Sequence, residues 1–293
     1  MPPAASARVR AGAGALVLAE LIGQDCGAAI AVLLFPAVGV FGTIALRVGF
    51  SAVVLLLVAR PRVPRRLGDG GVVVGFGLAI GVMNTAFYLA TQRIPLGTAV
   101  TIEVLGPLVL SVITGRRAIA WLWAGLGMAG VVLLWGGDLD RLDPLGVAFA
   151  AVAALCWAGY ILASTEAGRR FPKLDGLAWA MAVATVVTLP AGIATSGMRM
   201  IAPAHLGLGL AIAVLSSAIP YGVELFALRR LGASPFGVLM SMSPAIAAGV
   251  GFVILGQPIP LLGGIAIVLV AAASAGAVLT APRRTPSIAE PLA

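Results

Sequence analysis

The sequence predicts an all-α membrane protein in which ten transmembrane helices form two inverted five-helix repeats. Three observations carry that expectation. Hydrophobic residues make up 60% of the 293-residue chain and charged residues only 10%, less than half of the roughly 25% typical of soluble domains. Ten apolar stretches are separated by short loops bearing arginine, glycine or proline, and each is close to the ~20 residues needed to cross a ~30 Å hydrocarbon core. The positive residues, finally, fall very unequally on alternate sides of these stretches.

The expected spans are 13–34, 38–59, 71–91, 96–115, 118–136, 144–164, 177–197, 206–228, 235–255 and 259–280. Helices are required because lipid cannot hydrogen-bond stray backbone groups, and the period-two alternation of a membrane barrel is absent. The first span follows Arg8 and Arg10 and continues past Glu20 without a convincing cleavage site, so it reads as an uncleaved anchor. Pro36 separates it from the second, which the arginines from Arg60 to Arg66 close. The third carries two small-xxx-small pairs, Gly71/Gly75 and Gly77/Gly81, suited to close helix packing. Pro95 opens the fourth, where Pro107 frees the carbonyl of Glu103 from its helical bond. Arg116 and Arg117 precede the fifth. An acidic loop with Asp138, Asp140 and Asp143 leads through Pro144 into the sixth. Arg169, Arg170 and Lys173 precede the seventh, Arg199 and the lone His205 the eighth, Arg229 and Arg230 the ninth, and Pro258 the tenth. Residues 1–12 and 281–293 read as short cytoplasmic tails, with 13–136 and 144–280 as the two five-helix units.

Of 19 lysines and arginines, 15 fall on one side and 3 on the other, with Arg47 inside a span. The positive-inside rule makes the heavier side cytoplasmic and puts both termini there. The net charge of +8 therefore reports membrane orientation, and no nucleic-acid partner is expected. Cys26 and Cys156 lie within apolar segments and read as small buried hydrophobes. The chain has no phosphate-cradling lysine loop, no metal cluster and no nucleophile–base set. Neither an enzyme nor a cofactor is implied.

The chain also repeats. Arg93 to Pro107 and Arg230 to Pro244 each separate arginine and proline by 14 positions, and the copies are offset by 137. Five spans per unit is odd, so the second copy must be inverted. Inverted repeats mark secondary transporters, whose substrate site lies near the midplane between the halves. Ionisable groups inside spans are costly in lipid and are functional candidates by default. Here they are Glu20, Asp25, Arg47, Glu103 and Glu224. Asp25 and Arg47 lie at similar depth and are expected to touch, as a structural ion pair or as part of a substrate route. Glu103, roughly 10 Å into its span at 1.5 Å per residue, sits beside an open backbone acceptor that suits an ammonium or a proton. Asn84, Tyr88, Ser216 and Tyr221 are placed to hydrogen-bond a carboxylate or hydroxyl, and Trp157 and Tyr160 to wall a cavity. Glu224 lies beside Arg229 near the membrane edge, and Glu20 reads as similarly shallow. Without an ATP site, export against a gradient needs an ion gradient, and Glu103 is the expected proton carrier.

The two five-helix halves, the segment Cys156-Trp-Ala-Gly-Tyr160 and the proline-centred fourth and ninth spans resemble the drug/metabolite transporter superfamily of EamA type. Leu34-Phe-Pro36, Ala45-Leu-Arg47, Glu103-Val-Leu-Gly-Pro107, Gly115-Arg-Arg117, the stretch from Leu215 to Tyr221 and that from Phe236 to Met242 are similar to its bacterial threonine/homoserine exporter branch. This resemblance implies a cytoplasmic-membrane exporter of small metabolites, most simply threonine or homoserine. A drug cation, a nucleobase or another amino acid is the alternative cargo. The expected partners are then a small-molecule substrate, a proton and the lipid bilayer, with self-association as a homodimer left open. Three departures concern charge: Ser243 and Gln257 stand where the family pattern usually carries glutamate, and Asp25 where relatives are often uncharged.

Overall fold

The computed structural model describes residues 7–62, 68–115, 118–136, 143–220 and 238–280, and among these every regular element is helical. Helix α1 runs Ala7–Ala59 and is broken inside by Gly39, at φ 70° and ψ 171°. Glu20 and Ser51 line the same cavity, although a straight helix would hold them about 46 Å apart. The chain therefore reverses at Gly39, whose missing Cβ allows the positive φ. The sequence placed this break beside Pro36. Pro36 instead lies within the helix, because its ring fixes φ near −65° and cannot supply the left-handed step.

Helix α2 spans Asp69–Thr91. The expected fourth span is two pieces, α3 (Leu96–Glu103) and α4 (Leu105–Gly115). They part at Val104, where Pro107 provides no N–H for the carbonyl of Glu103. Helix α5 covers Ala118–Gly136. Helix α6, Pro144–Arg170, starts with a proline in its first turn and is capped by Asp143, whose carboxylate accepts the Leu145 N–H at 2.9 Å. Helix α7 covers Asp175–Ser196, and a 3-10 turn, Gly197–Ile201, leads to α8, Pro203–Ala213. A wider π turn, Val214–Ala218, extends α8. Helices α9 (Ser243–Leu255) and α10 (Leu261–Thr280) complete the described chain.

By length and apolar character six of these helices can cross a membrane, with Gly14–Ala59 counted as one of them. Leu96–Leu110, Ala118–Leu133 and Pro203–Ser216 are shorter apolar pieces. Large apolar side chains such as Leu155, Val186, Val253 and Leu261 stand exposed on α6, α7, α9 and α10, as lipid-facing surfaces require.

Helix α2 lies tightly on α7: a Cβ at Gly77 would come within 2.6 Å of the Ala180 carbonyl oxygen and of Val183. Gly81 packs beside Ala184 and Thr188 at ordinary contact distance, whereas Gly71 and Gly75 face open space. Of the two small-residue pairs, only the second makes a helix contact. At one end of the bundle Arg93 pairs with Asp143 at 3.1 Å. At the other, the Arg62 N–H donates to Asp175 at 3.1 Å, the Trp179 indole N–H donates to the Arg62 carbonyl at 3.0 Å, and Arg170 stands 3.9 Å from Asp69. Each cluster joins loops that the lysine and arginine count assigns to a common side.

Candidate substrate cavity

Both arms of α1, with α2, α3, α6, α7, the π turn and the start of α9, line a cavity of about 190 Å³. Helical periodicity explains which side chains face it. Positions 20, 24, 25 and 28 share one face of the first arm, positions 47, 48 and 51 one face of the second, and 80, 83, 84 and 87 one face of α2. An apolar cavity of about 150 Å³ admits benzene, so this volume suits a ligand of small amino-acid size.

The structure brings most of the sequence-expected residues here. Asp25, Arg47, Asn84 and Glu103 line the cavity, as do Trp157, Tyr160 and Ser216. Tyr88 lies one layer behind, fully buried. Its ring meets Phe35 edge-on, centroids 5.8 Å apart, and Phe87 at 5.6 Å. Tyr221 and Glu224 lie outside the described residues.

Two expectations are corrected. No ion pair joins Asp25 to Arg47 among the described residues. The Arg47 guanidinium instead donates to the Tyr88 hydroxyl at 2.8 Å and stacks over its ring, 5.2 Å from the centroid. Tyr88 offers the guanidinium both a hydroxyl acceptor and an aromatic face. The Asp25 carboxylate is buried, and its Oδ2 accepts no hydrogen bond. Glu20, expected to be shallow, is buried and lines the cavity. Its position on the face of α1 shared with Gln24, Asp25 and Ala28 turns it into the bundle, whatever its distance from the helix end.

Sequence reasoning overlooked Gln24, Ser51, Met83 and Ser243 as lining groups. The spacing of Gln24 from Glu20 and of Ser51 from Arg47, four residues in each case, was the available signal. Two of the polar lining groups have backbone partners, one within its own helix and one across the cavity wall. Asn84 donates to its own helix at the Ile80 carbonyl, 2.9 Å away, and Ser216 reaches the Gln24 carbonyl at 3.5 Å. Three carboxylates (Glu20, Asp25 and Glu103) and one guanidinium therefore share a small space with low-dielectric walls, which concentrates their field on any ligand inside. Among the described residues no group of three or more histidine, cysteine, aspartate or glutamate side chains is arranged to hold a metal ion.

A helical bundle with an apolar outer surface and a charged cavity at its centre is the architecture of a multi-pass membrane transporter. The chain belongs to the EamA-like transporter family of the drug/metabolite transporter superfamily, on its threonine/homoserine exporter-like branch. The model of the EamA-like transporter family matches residues 144–279. The threonine/homoserine exporter RhtA of Salmonella typhimurium (strain LT2) is 38% identical over 276 residues, covering 93% of each chain. The threonine/homoserine exporter RhtA of Escherichia coli (strain K12) is 35% identical over 268 residues, covering 90% of each. A solved chain described as "Crystal structure of protein" superimposes with a TM-score of 0.58 at 21% identity, over 94% of this chain and 100% of its own. That likeness establishes the fold alone. The curated relatives are transporters, and the family is not one of enzymes.

Proposed function

We propose that this protein exports small α-amino acids, threonine and homoserine first among them, across the bacterial cytoplasmic membrane as a proton-coupled secondary transporter. The observation that carries the reading is the central cavity of about 190 Å³, in which acidic side chains and one guanidinium face the same space. Its size matches a small amino acid, and its charges match an ammonium and a carboxylate. Relatives named as threonine/homoserine exporters, similar over nine-tenths of the chain, support the same cargo. Glu103 supplies a carboxylate that a proton can neutralise, which would release a bound ammonium on the outer side.

The architecture that goes with this reading is ten spans in two inverted halves, 13–136 and 144–280, with both tails in the cytoplasm. Reporter fusions at 66, 117, 173 and 230 should then report the cytoplasm and fusions at 140 and 200 the exterior. An external signal at 117 would overturn that map. The function itself is tested in overexpressing cells loaded with labelled homoserine or threonine, or with a hydrophobic cationic dye. Faster loss of the amino acids than in control cells is the expected result. Equal retention of both amino acids with accelerated loss of the dye refutes the assignment.

A further inference from the structure

Asp25 and Arg47, an acid and a base, border one small cavity, yet they form no ion pair. In a low-dielectric space such a pair should close on itself. The placement of the guanidinium prevents it. The guanidinium is held from behind by the Tyr88 hydroxyl at 2.8 Å and by the Tyr88 ring. Tyr88 is in turn fixed by full burial and by Phe35 and Phe87. A guanidinium has five N–H donors, so a single bond to Tyr88 leaves its fork available. Across the cavity, Asp25 is buried with an Oδ2 that accepts no hydrogen bond, the kind of group that a cationic donor satisfies.

We infer that Asp25 and Arg47 are the two poles of a receptor for the head group of a zwitterionic α-amino acid, with Tyr88 as the positioning residue that holds the poles apart. The inference rests on the transport reading above and extends it to the chemistry of recognition. The ligand carboxylate takes the planar fork of Arg47, a geometry suited to two parallel hydrogen bonds. The ammonium goes to Asp25, in a cavity that Glu20 and Glu103 also line. Both poles belong to α1, one on each arm, so the reversal at Gly39 sets their separation. Selection by this device acts on the part common to all α-amino acids. The side chain meets Met83, Phe87, Trp157 and Met181, which set size and polarity.

The test uses full-length protein in inside-out vesicles. Labelled L-threonine competes there with its amino alcohol, which lacks the carboxylate, and with 2,3-dihydroxybutyrate, which lacks the ammonium. The wild type should prefer L-threonine to either analogue by about tenfold or more, as expected for losing a bond to a charged group. Tyr88→Phe keeps the ring and removes the anchor. It should weaken L-threonine more than the amino alcohol, so that this preference shrinks by about tenfold. Asp25→Asn should shrink the preference over the dihydroxy acid instead. A monodisperse profile in detergent confirms folding, and if one variant does not fold the other still decides. L-threonine transport with both preferences unchanged in a folded variant overturns the receptor and leaves the exporter reading intact. Transport of another α-amino acid but not of threonine or homoserine overturns the proposed cargo alone, and the same ratios on that amino acid then decide the receptor. Transport of no α-amino acid overturns both.

Discussion

The side-chain oxygen of Gln257 accepts the backbone N–H of Leu96 at 2.9 Å, so a residue after α9 caps the first turn of α3. Leu96 opens α3, and its N–H has no partner within its own helix. Gln257→Ala should lower stability by about 1 kcal/mol, the usual value of such a hydrogen bond. Gln257→Glu keeps an acceptor at that point and should stay close to the wild type. Thermal unfolding in detergent micelles separates the two, and an unchanged midpoint for Gln257→Ala would deny the cap its role.

Gly106 gives the second prediction. A Cβ at Gly106 would run into the backbone carbonyl of Ala154, which cannot rotate away as a side-chain tip can. Gly106→Ala must push α4 from α6, at a cost of about 1–3 kcal/mol for overpacking. Gly75→Ala enters open space and should cost nothing measurable. Folded yield and midpoint temperature measured side by side are the check. Equal behaviour of the two variants would contradict the close approach.

The third prediction concerns acid pH at the Arg93–Asp143 end. The Leu145 N–H, and after it Arg93, hold the Asp143 carboxyl below the usual carboxylate range. A group depressed in the folded state adds stability above its unfolded pKa, about 3.9 for aspartate. That contribution disappears as pH falls through the lower folded value. The midpoint difference between wild type and Asp143→Asn should therefore be constant near neutrality and should close below about pH 4. A difference that persists unchanged into strong acid would show that the charge is not its source.

Glu103 provides the fourth. If Glu103 carries the proton, Glu103→Gln, which mimics the neutral acid, should fold normally and lose the acceleration that an imposed pH gradient gives to amino-acid efflux. Vesicles with and without that gradient make the comparison. Full acceleration in the variant excludes Glu103 as the carrier.

The helices were largely legible because apolar length decides them. The expected spans 71–91 and 259–280 end within two residues of Asp69–Thr91 and Leu261–Thr280. Hydropathy failed where a helix leaves the apolar region. Helix α6 runs on to Arg170, beyond the expected 164, because Glu166 bonds Arg170 at 2.7 Å across one turn. The cavity was legible as a set of intramembrane ionisable groups, but their partners were not. Whether Arg47 turns to Asp25 or to Tyr88 depends on how α2 lies against α1, which depth along a span cannot reveal. Glu20 was misplaced for a related reason, since its burial depends on which helices cover its face of α1.

The reversal at Gly39 also bears on how the chain reaches its membrane. From Cys26 to Gly42 the sequence holds no charged, amide or hydroxyl side chain, and one residue alone departs from helical geometry. Between the arms of α1 there is thus no hydrophilic stretch to drag through the lipid, a transfer that polar groups resist strongly. In the finished structure this segment is an apolar helical hairpin, which keeps nearly all of its backbone bonding within itself as lipid requires. Asp25 and Arg47 thus stand on opposite arms of one apolar segment, joined by chain that carries no other polar side chain up to Gly42.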